Sequence, residues 1–350
     1  LRTNPAGSDG DTAWTGQSVR AAEAIGVAPP LVVVDTVVHF KLTMIEHMDH
    51  PRFGMLPESI YRNNLLQVHQ RLASDYAAQL RDIGRFEDAC QKKRSNATGG
   101  EDAERTLDAF VHRFCASACR TGYLVLDNNG YLSPVSDELL ARLCDGRVAI
   151  LDIPCGSGAG ILGMLSLIAS LRQHGALPRL PLTIHITAGD FSETARQLYD
   201  NLMPKAVPWL EEQGIRISWT THAWDASDQF STSAIVDCWL DHSAGCEDFV
   251  VLVAAFSDAA ANNFKRFERS FQHITERIHN RSSAFVWIEP DWKKTSKFLD
   301  AIERHFNKFV SFFSGTNRLS DRFEWFHPLK GKPCPSKIMV VRHQSLGGGE

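Results

Sequence analysis

Val148-Ala149-Ile150-Leu151-Asp152-Ile153-Pro154-Cys155-Gly156-Ser157-Gly158-Ala159-Gly160-Ile161-Leu162-Gly163 carries more structural information than any other segment of the chain. An apolar run ends in Asp152. A glycine-rich turn follows, and Ile161–Arg172 then has the apolar spacing of a helix. A turn without Cβ atoms lets backbone N–H groups approach a ligand, and the helix start that follows favours negative charge. Strand, glycine turn and helix together make the front half of a nucleotide-type site in an α/β fold.

The turn reads in two registers. Gly158-x-Gly160-x-x-Gly163 fits a dinucleotide fingerprint, whose glycines begin at the strand end. Gly158 lies six residues past Asp152, so the register Asp152-x-x-x-Gly156-x-Gly158 fits the strand better. A tight turn with no ligand is the third reading.

Strands alternate with helices from residue 148 onward. The apolar runs predict strands over Val148–Ile153, Leu182–Ala188, Ile215–Thr221, Phe249–Phe256, Ala284–Ile288, Phe309–Phe313 and Lys337–Arg342. Helices fill most of the gaps. One of them, Ser192–Met203, opens on Ser192 with Glu193 in its first turn, as an N-terminus should. Such alternation predicts a mostly parallel sheet covered on both faces. No helix pattern joins the last two strands. Residues 314–336, rich in Gly, Pro and aromatics, read as a hairpin-like insertion between an antiparallel pair.

The region before residue 136 reads as mainly helical. Leu31–His47, Ile60–Arg81 and Glu101–Cys119 carry apolar residues at spacings of three and four, although the valines of Leu31–Phe40 also suit a strand. Gln91–Asp102 is polar and reads as an exposed loop. Tyr123–Leu126, Asp127-Asn128-Asn129-Gly130 and Tyr131-Leu132 suggest a short hairpin, since Asn-Gly is a strong turn signal. A helix is expected over Ser136–Leu143. The implied organisation is a loose terminus over 1–18, a helical region over 19–135 serving substrate, partner or lid, an α/β domain over 136–343, and a short tail over 344–350.

The bulk numbers are those of a soluble globular protein, with 350 residues, 43% hydrophobic and 22% charged. No apolar run approaches the roughly 20 residues that span a bilayer. No apolar segment follows a basic start, so residues 1–18 do not read as a signal peptide. The eight cysteines include no C-x-x-C pair and read as free thiols in a reducing compartment, here the cytoplasm. No metal site is signposted. The net charge of −4 hides an asymmetry. Residues 264–343 carry 16 Lys and Arg against 8 Asp and Glu. A basic third suits an anionic partner such as RNA, but Phe264–His279 and Trp292–Asn307 interleave both signs as ordinary solvated helices do.

Residues 136–343 resemble the class I, Rossmann-like S-adenosylmethionine-dependent methyltransferases. The Asp152–Gly160 stretch is similar to motif I of that superfamily, and seven strands ending in an antiparallel pair is its sheet. The resemblance implies the donor S-adenosyl-L-methionine and the product S-adenosyl-L-homocysteine. It assigns Asp152, Pro154, Gly156, Ser157 and Gly158 to the cofactor turn. Asp190, with Phe191 after it, matches the acidic residue that binds the ribose hydroxyls, and a carboxylate accepts two hydrogen bonds at once. Asp225 and Ala226 match the position that meets the adenine amino group, and Phe256 ends the strand that meets the methyl donor. Pro154 departs from the family pattern by replacing its first glycine. The Pro-Cys-Gly-Ser-Gly wording resembles DNA adenine methyltransferases, but Ala254-Ala255-Phe256-Ser257-Asp258 lacks their Asn/Asp-Pro-Pro-Tyr/Phe stretch. Cytosine-C5 enzymes need a cysteine there, and none follows.

Methyl transfer from a sulfonium is an in-line displacement that needs proximity and orientation first. A base matters only where the acceptor must lose a proton, and Asp258 and Glu289 are the candidates at the carboxyl edge. Asp291 suits a helix cap equally well. The hairpin residues Arg318, Arg322, Trp325, Phe326, His327 and Lys330 are expected to border the acceptor. Three readings follow. The first is a methyltransferase acting on an O or N atom of a small molecule or protein. The second is an RNA methyltransferase. The third is a catalytically silent subunit that works as a scaffold with a partner protein or as a homo-oligomer. A nicotinamide-dependent oxidoreductase trails them.

Overall fold

The strand at the centre of the quoted stretch is β3 (Gly146–Asp152), and its side chains alternate between two cores. Val148 and Ile150 face one core, while Ala149 and Leu151 face the other. β4 (Leu182–Asp190) gives Leu182, Ile184, Ile186 and Ala188 to the first core and Thr183, His185 and Thr187 to its other face, whereas the full alternation runs through β6 (Asp248–Ala254) and β7 (Ser283–Glu289). A strand buried on both faces needs apolar residues at every position, which is why these runs are continuous.

The computed structural model describes residues 50–91, 100, 102–256, 264–290, 300 and 313–345. Contacts group residues 47–350 as one unit and 1–46 as another, and the second lies outside the described residues together with the element expected over Leu31–His47. Among the described residues no helix is long and apolar enough to cross a membrane.

Among the described residues the sheet has nine strands, against the expected seven, in the order β1-β2-β8-β9-β7-β6-β3-β4-β5. The remaining strands are β1 (Tyr61–Arg62), β2 (Leu65–Gln67), β5 (Ile215–Ala223), β8 (Phe313–His327) and β9 (Lys332–Ser345). β3, β4, β5, β6 and β7 are parallel, β9 is antiparallel to both β7 and β8, and β2 lies parallel to β8. The additional pair arises where Ile60–Arg81 was expected to be one helix. Asn63 and Asn64 are both left-handed and close a two-residue hairpin, and the helix proper is α1 (Gln70–Asp82). β2 gains its ladder from β8, a partner some 260 residues away in sequence, which local periodicity cannot reveal.

The Tyr123–Leu132 segment differs from expectation in the same way. It ends α3 (Ala103–Leu126) rather than forming a hairpin. Asp127 takes a left-handed conformation, and its amide donates to Tyr123 O at 2.8 Å. Its buried carboxylate then accepts from the Leu132 amide at 2.8 Å and the Ser133 hydroxyl at 2.7 Å, which starts α4 (Ser133–Arg142). The Asn-Gly turn exists but joins two helices. A short helix, α2 (Phe86–Cys90), completes the segment before α3.

α5 (Ala159–Gln173) and α6 (Glu193–Glu211) cover one face of the sheet, with α3 packed outside them. α7 (Gln229–His242) and α8 (Phe264–Ile278) cover the other. Sandwiched between sheet and α3, α5 is buried from Ala159 to Arg172 and is accordingly apolar on every side. Residues on both sides of the 135/136 boundary share this core.

Residues 314–336 are part of the sheet. β7 ends at Glu289, opposite Met339, and Met339 pairs with Ser320. The hairpin therefore runs on by seven residues of each strand past the carboxyl end of β7, about 23 Å. β2 pairs with this overhang at Trp325 and Phe326. Tyr123 of α3 stacks on Phe323 at 4.0 Å.

Candidate functional site

The chain leaves β3 towards β4 on one side, and β6 lies on the other. This reversal of strand order opens a crevice at the carboxyl ends, where ligands of open α/β sheets bind. The glycine turn sits on it. The Ile153 amide donates to Leu252 O of β6 at 2.9 Å and the Cys155 amide to Gly189 O of β4 at 2.8 Å, so the turn is pinned to both neighbouring strands. The Ile153–Pro154 bond is cis. Gly156 and Gly158 have φ of +51° and +81°. A Cβ on Gly156 would meet nothing within 4 Å, which leaves the turn open above, whereas one on Gly158 would lie 3.1 Å from the Tyr199 ring. Pro154, Gly156 and Ser157 are half-buried, and α5 begins directly after Gly158.

Two carboxylates lie under this turn. Asp190 Oδ2 accepts from the Gly156 amide at 2.9 Å and Oδ1 from the Ser192 amide at 2.8 Å. Arg196 Nη1 donates to the Asp190 carbonyl at 2.6 Å and braces the loop from below. Burial raises the Asp190 carboxyl, opposed by the two amides and Arg196. Asp152 is fully buried, and its Oδ2 and the neighbouring Tyr199 hydroxyl are each without a hydrogen-bond partner. Burial first, and then the Asp190 charge, push Asp152 up to about 8, with Tyr199 pulling the other way. Two amides and Arg196 support a charge on Asp190, and no cation does so for Asp152.

The next loop stands alongside. The Trp224 amide donates to Asp190 O at 3.1 Å. Asp225 Oδ1 accepts from the Ser227 amide at 2.8 Å and the Ser227 hydroxyl at 2.7 Å, and Ala226 is buried. Phe191 is 65% exposed and Phe230, in the first turn of α7, is 86% exposed. Sequence reasoning missed Phe230, because a single aromatic at a helix start reads as core. It also missed Tyr199 and Arg196, whose roles depend on the fold alone.

On the other side of the crevice, Ala255 has φ +59°, a left-handed state unusual for a residue with a Cβ, and its amide donates to Ile288 O at 2.9 Å. Phe256 was expected at the methyl donor. Its ring instead packs among Trp224, Phe267, Phe271 and Trp287 in the second core. Glu289, a candidate base, is fully buried, and its Oε1 accepts from the Phe256 amide at 2.8 Å and Trp287 Nε1 at 2.7 Å. A carboxylate used this way ties the end of β6 to β7. Asp258 and Asp291 lie outside the described residues. The structure thus brings Asp152, Pro154, Gly156, Ser157, Gly158, Asp190, Phe191, Asp225 and Ala226 to one edge. Phe256 and Glu289 share that edge but belong to its supporting core.

No protein-family model matches the chain, and neither does any curated protein. Among solved structures, it is similar to a loganic acid methyltransferase solved with S-adenosylhomocysteine. That match has 8% identity over 71% of this chain and 98% of the other, with a TM-score of 0.37. A precorrin 8w decarboxylase from Methanobacterium thermoautotrophicum matches at 12% identity over 60% and 89% of the two chains, with a TM-score of 0.34. A protein solved for the conversion of a disulfide bond into a thioacetal group during echinomycin biosynthesis matches at 12% identity over 63% and 83%, with a TM-score of 0.32. At such scores the fold rests on the strand order and register described above.

Proposed function

We propose that residues 136–343 bind S-adenosylmethionine and transfer its methyl group to an O or N atom of a small molecule or protein. One observation carries this reading. The open glycine turn Gly156–Gly158 lies at the strand-order reversal beside β3, with the Asp190 carboxylate on the Gly156 amide. A backbone cradle with a carboxylate holding its amides from beneath suits a ribose-bearing ligand, and the exposed Phe191 face suits its base.

In this reading Gly156, Ser157 and Gly158 line the cofactor, Asp190 takes the ribose hydroxyls, and Asp225 with Ala226 meets the adenine edge. Bound S-adenosylmethionine supplies an already activated methyl group, so the chain contributes orientation and exclusion of water. Glu289 serves by positioning, since its carboxylate fixes the Phe256 amide. Asp258 is then the remaining candidate for proton removal. The engagement of Glu289 also favours a second reading, a scaffold that binds the cofactor without turnover.

Calorimetric titration of S-adenosylmethionine and S-adenosylhomocysteine tests the reading. Micromolar binding by the wild type, weakened at least tenfold in Asp190→Ala, is the expected result. No binding by folded wild-type protein would overturn it. Binding without turnover across an acceptor panel would favour the scaffold.

A further inference from the structure

Asp152 is a fully buried acid with an unpartnered oxygen, directly beneath the turn assigned to the cofactor. The groups facing it are few. Asp190 at the end of β4 adds negative charge, Tyr199 of α6 offers a hydroxyl, and Cys155 in the turn is a buried thiol itself raised by burial, Asp190 and Asp152. Among the described residues the cation acting on this cluster is Arg196, and it acts on Asp190 and Cys155. From β6 the neighbours are the apolar Leu252 and Val253. With Arg196 acting on Asp190 and no cation acting on Asp152, the two carboxylates do not ionise together in such a place.

Resting on the function proposed above, we infer that Asp152 is the site's charge sensor: it gives up its proton when a cationic sulfonium cofactor binds and takes one back when the neutral thioether product remains. S-adenosylmethionine and S-adenosylhomocysteine differ by a methyl group and one positive charge. A positive charge near two carboxylates favours ionisation of the second, and its loss favours reprotonation. The proton goes to solvent on binding and returns from solvent after transfer, so the exchange balances without another reactant. The consequence is discrimination between donor and product. Affinity for the donor rises with pH up to the titration of Asp152, and affinity for the product stays flat. The neutral product is then not held by the charge that recruited the donor.

Calorimetry in buffers of different ionisation heat reads the proton directly. At pH 7, S-adenosylmethionine should release about one proton per site and S-adenosylhomocysteine close to none. Asp152→Asn should abolish the difference. If that variant does not fold, the wild type still answers. Between pH 6 and pH 8 its donor affinity should rise by about tenfold per pH unit relative to the product. Equal proton release by both ligands, or parallel pH profiles, would overturn the inference and leave the cofactor assignment standing. Failure of both ligands to bind would overturn both.

Discussion

Gly163 sets the distance between two helices. A Cβ built there would lie 2.4 Å from the Ala118 carbonyl oxygen, 2.6 Å from Ala118 Cα and 2.7 Å from Thr121 Oγ1. Two of these atoms are backbone, so α3 itself must shift. Gly163→Ala should therefore cost at least about 2 kcal/mol, read as a lower urea midpoint with an unchanged slope. An unchanged midpoint would mean that α3 does not cross α5 at this point. Ala255 is the opposite case. Its left-handed backbone carries a Cβ where glycine would be free of strain, so Ala255→Gly should stabilise the fold by roughly 1 kcal/mol in the same assay. At this scale the sequence was partly legible. Gly156, Gly158 and Asp190 announced themselves through spacing. The engagement of Asp190 with the Gly156 amide, and the upward shift of the Asp152 carboxyl, come from burial that no local pattern encodes.

The elements divide by how local their partners are. β3, β6 and β7 were readable because a strand buried on both faces must be an unbroken apolar run, and β4 because its apolar residues alternate with Thr183, His185 and Thr187. The start of α6 was readable because Ser192 does cap it, accepting from the Ala195 amide at 3.3 Å. β1 and β2 were not, because β2 is completed by a distant partner; the antiparallel β8–β9 pair was expected, but not that its strands run through 314–336. Residues 314–336 read as an insertion, yet they carry strands to the hairpin tip, and Trp325 and Phe326 pair there with β2. Removing them would strip β2 and α3 of their support as well as any acceptor contact. A point substitution is the cleaner probe. Phe323→Ala removes a nearly buried ring stacked on Tyr123, whose hydroxyl donates to Asp321 at 2.6 Å. It should cost about 3 kcal/mol in urea unfolding. A loss below 1 kcal/mol, on the order of a surface substitution, would show that the overhang is not anchored to α3.

The whole molecule carries buried titratable groups of opposite sense, and their sum sets how its stability varies with pH. Burial holds His69 and His327 down to about 4, from an ordinary value of 6.5. Each stays neutral in the fold and charges in the unfolded chain, so their stabilisation is lost as pH falls from 6.5 towards 4. Asp152 acts in reverse. Its folded value near 8 lies above the ordinary 3.8, so the fold keeps a proton that the unfolded chain has released, and stability falls as pH rises from about 4 to 8. Among these three groups the two histidines outweigh the acid below pH 6.5 and the acid dominates above it; burial adds His50, His112, His185 and His222 to the histidine side and Asp75 and Asp190 to the acid side. Stability should therefore peak near pH 6.5 and decline by about 1.4 kcal/mol per pH unit towards pH 8. In Asp152→Asn the decline should become shallower by about 1.4 kcal/mol per pH unit. A urea midpoint that is flat from pH 6.5 to 8 in the wild type would show that Asp152 is ionised in the fold.

Amide hydrogen exchange with and without S-adenosylhomocysteine examines the location of the cofactor site most directly. Binding at the strand-order reversal should slow exchange at residues 155–160, 190–192 and 224–228, and leave β8, β9 and α1 unchanged. Protection confined to other segments, or none at saturating ligand, would contradict the assignment of this glycine turn as the site of the methyl donor.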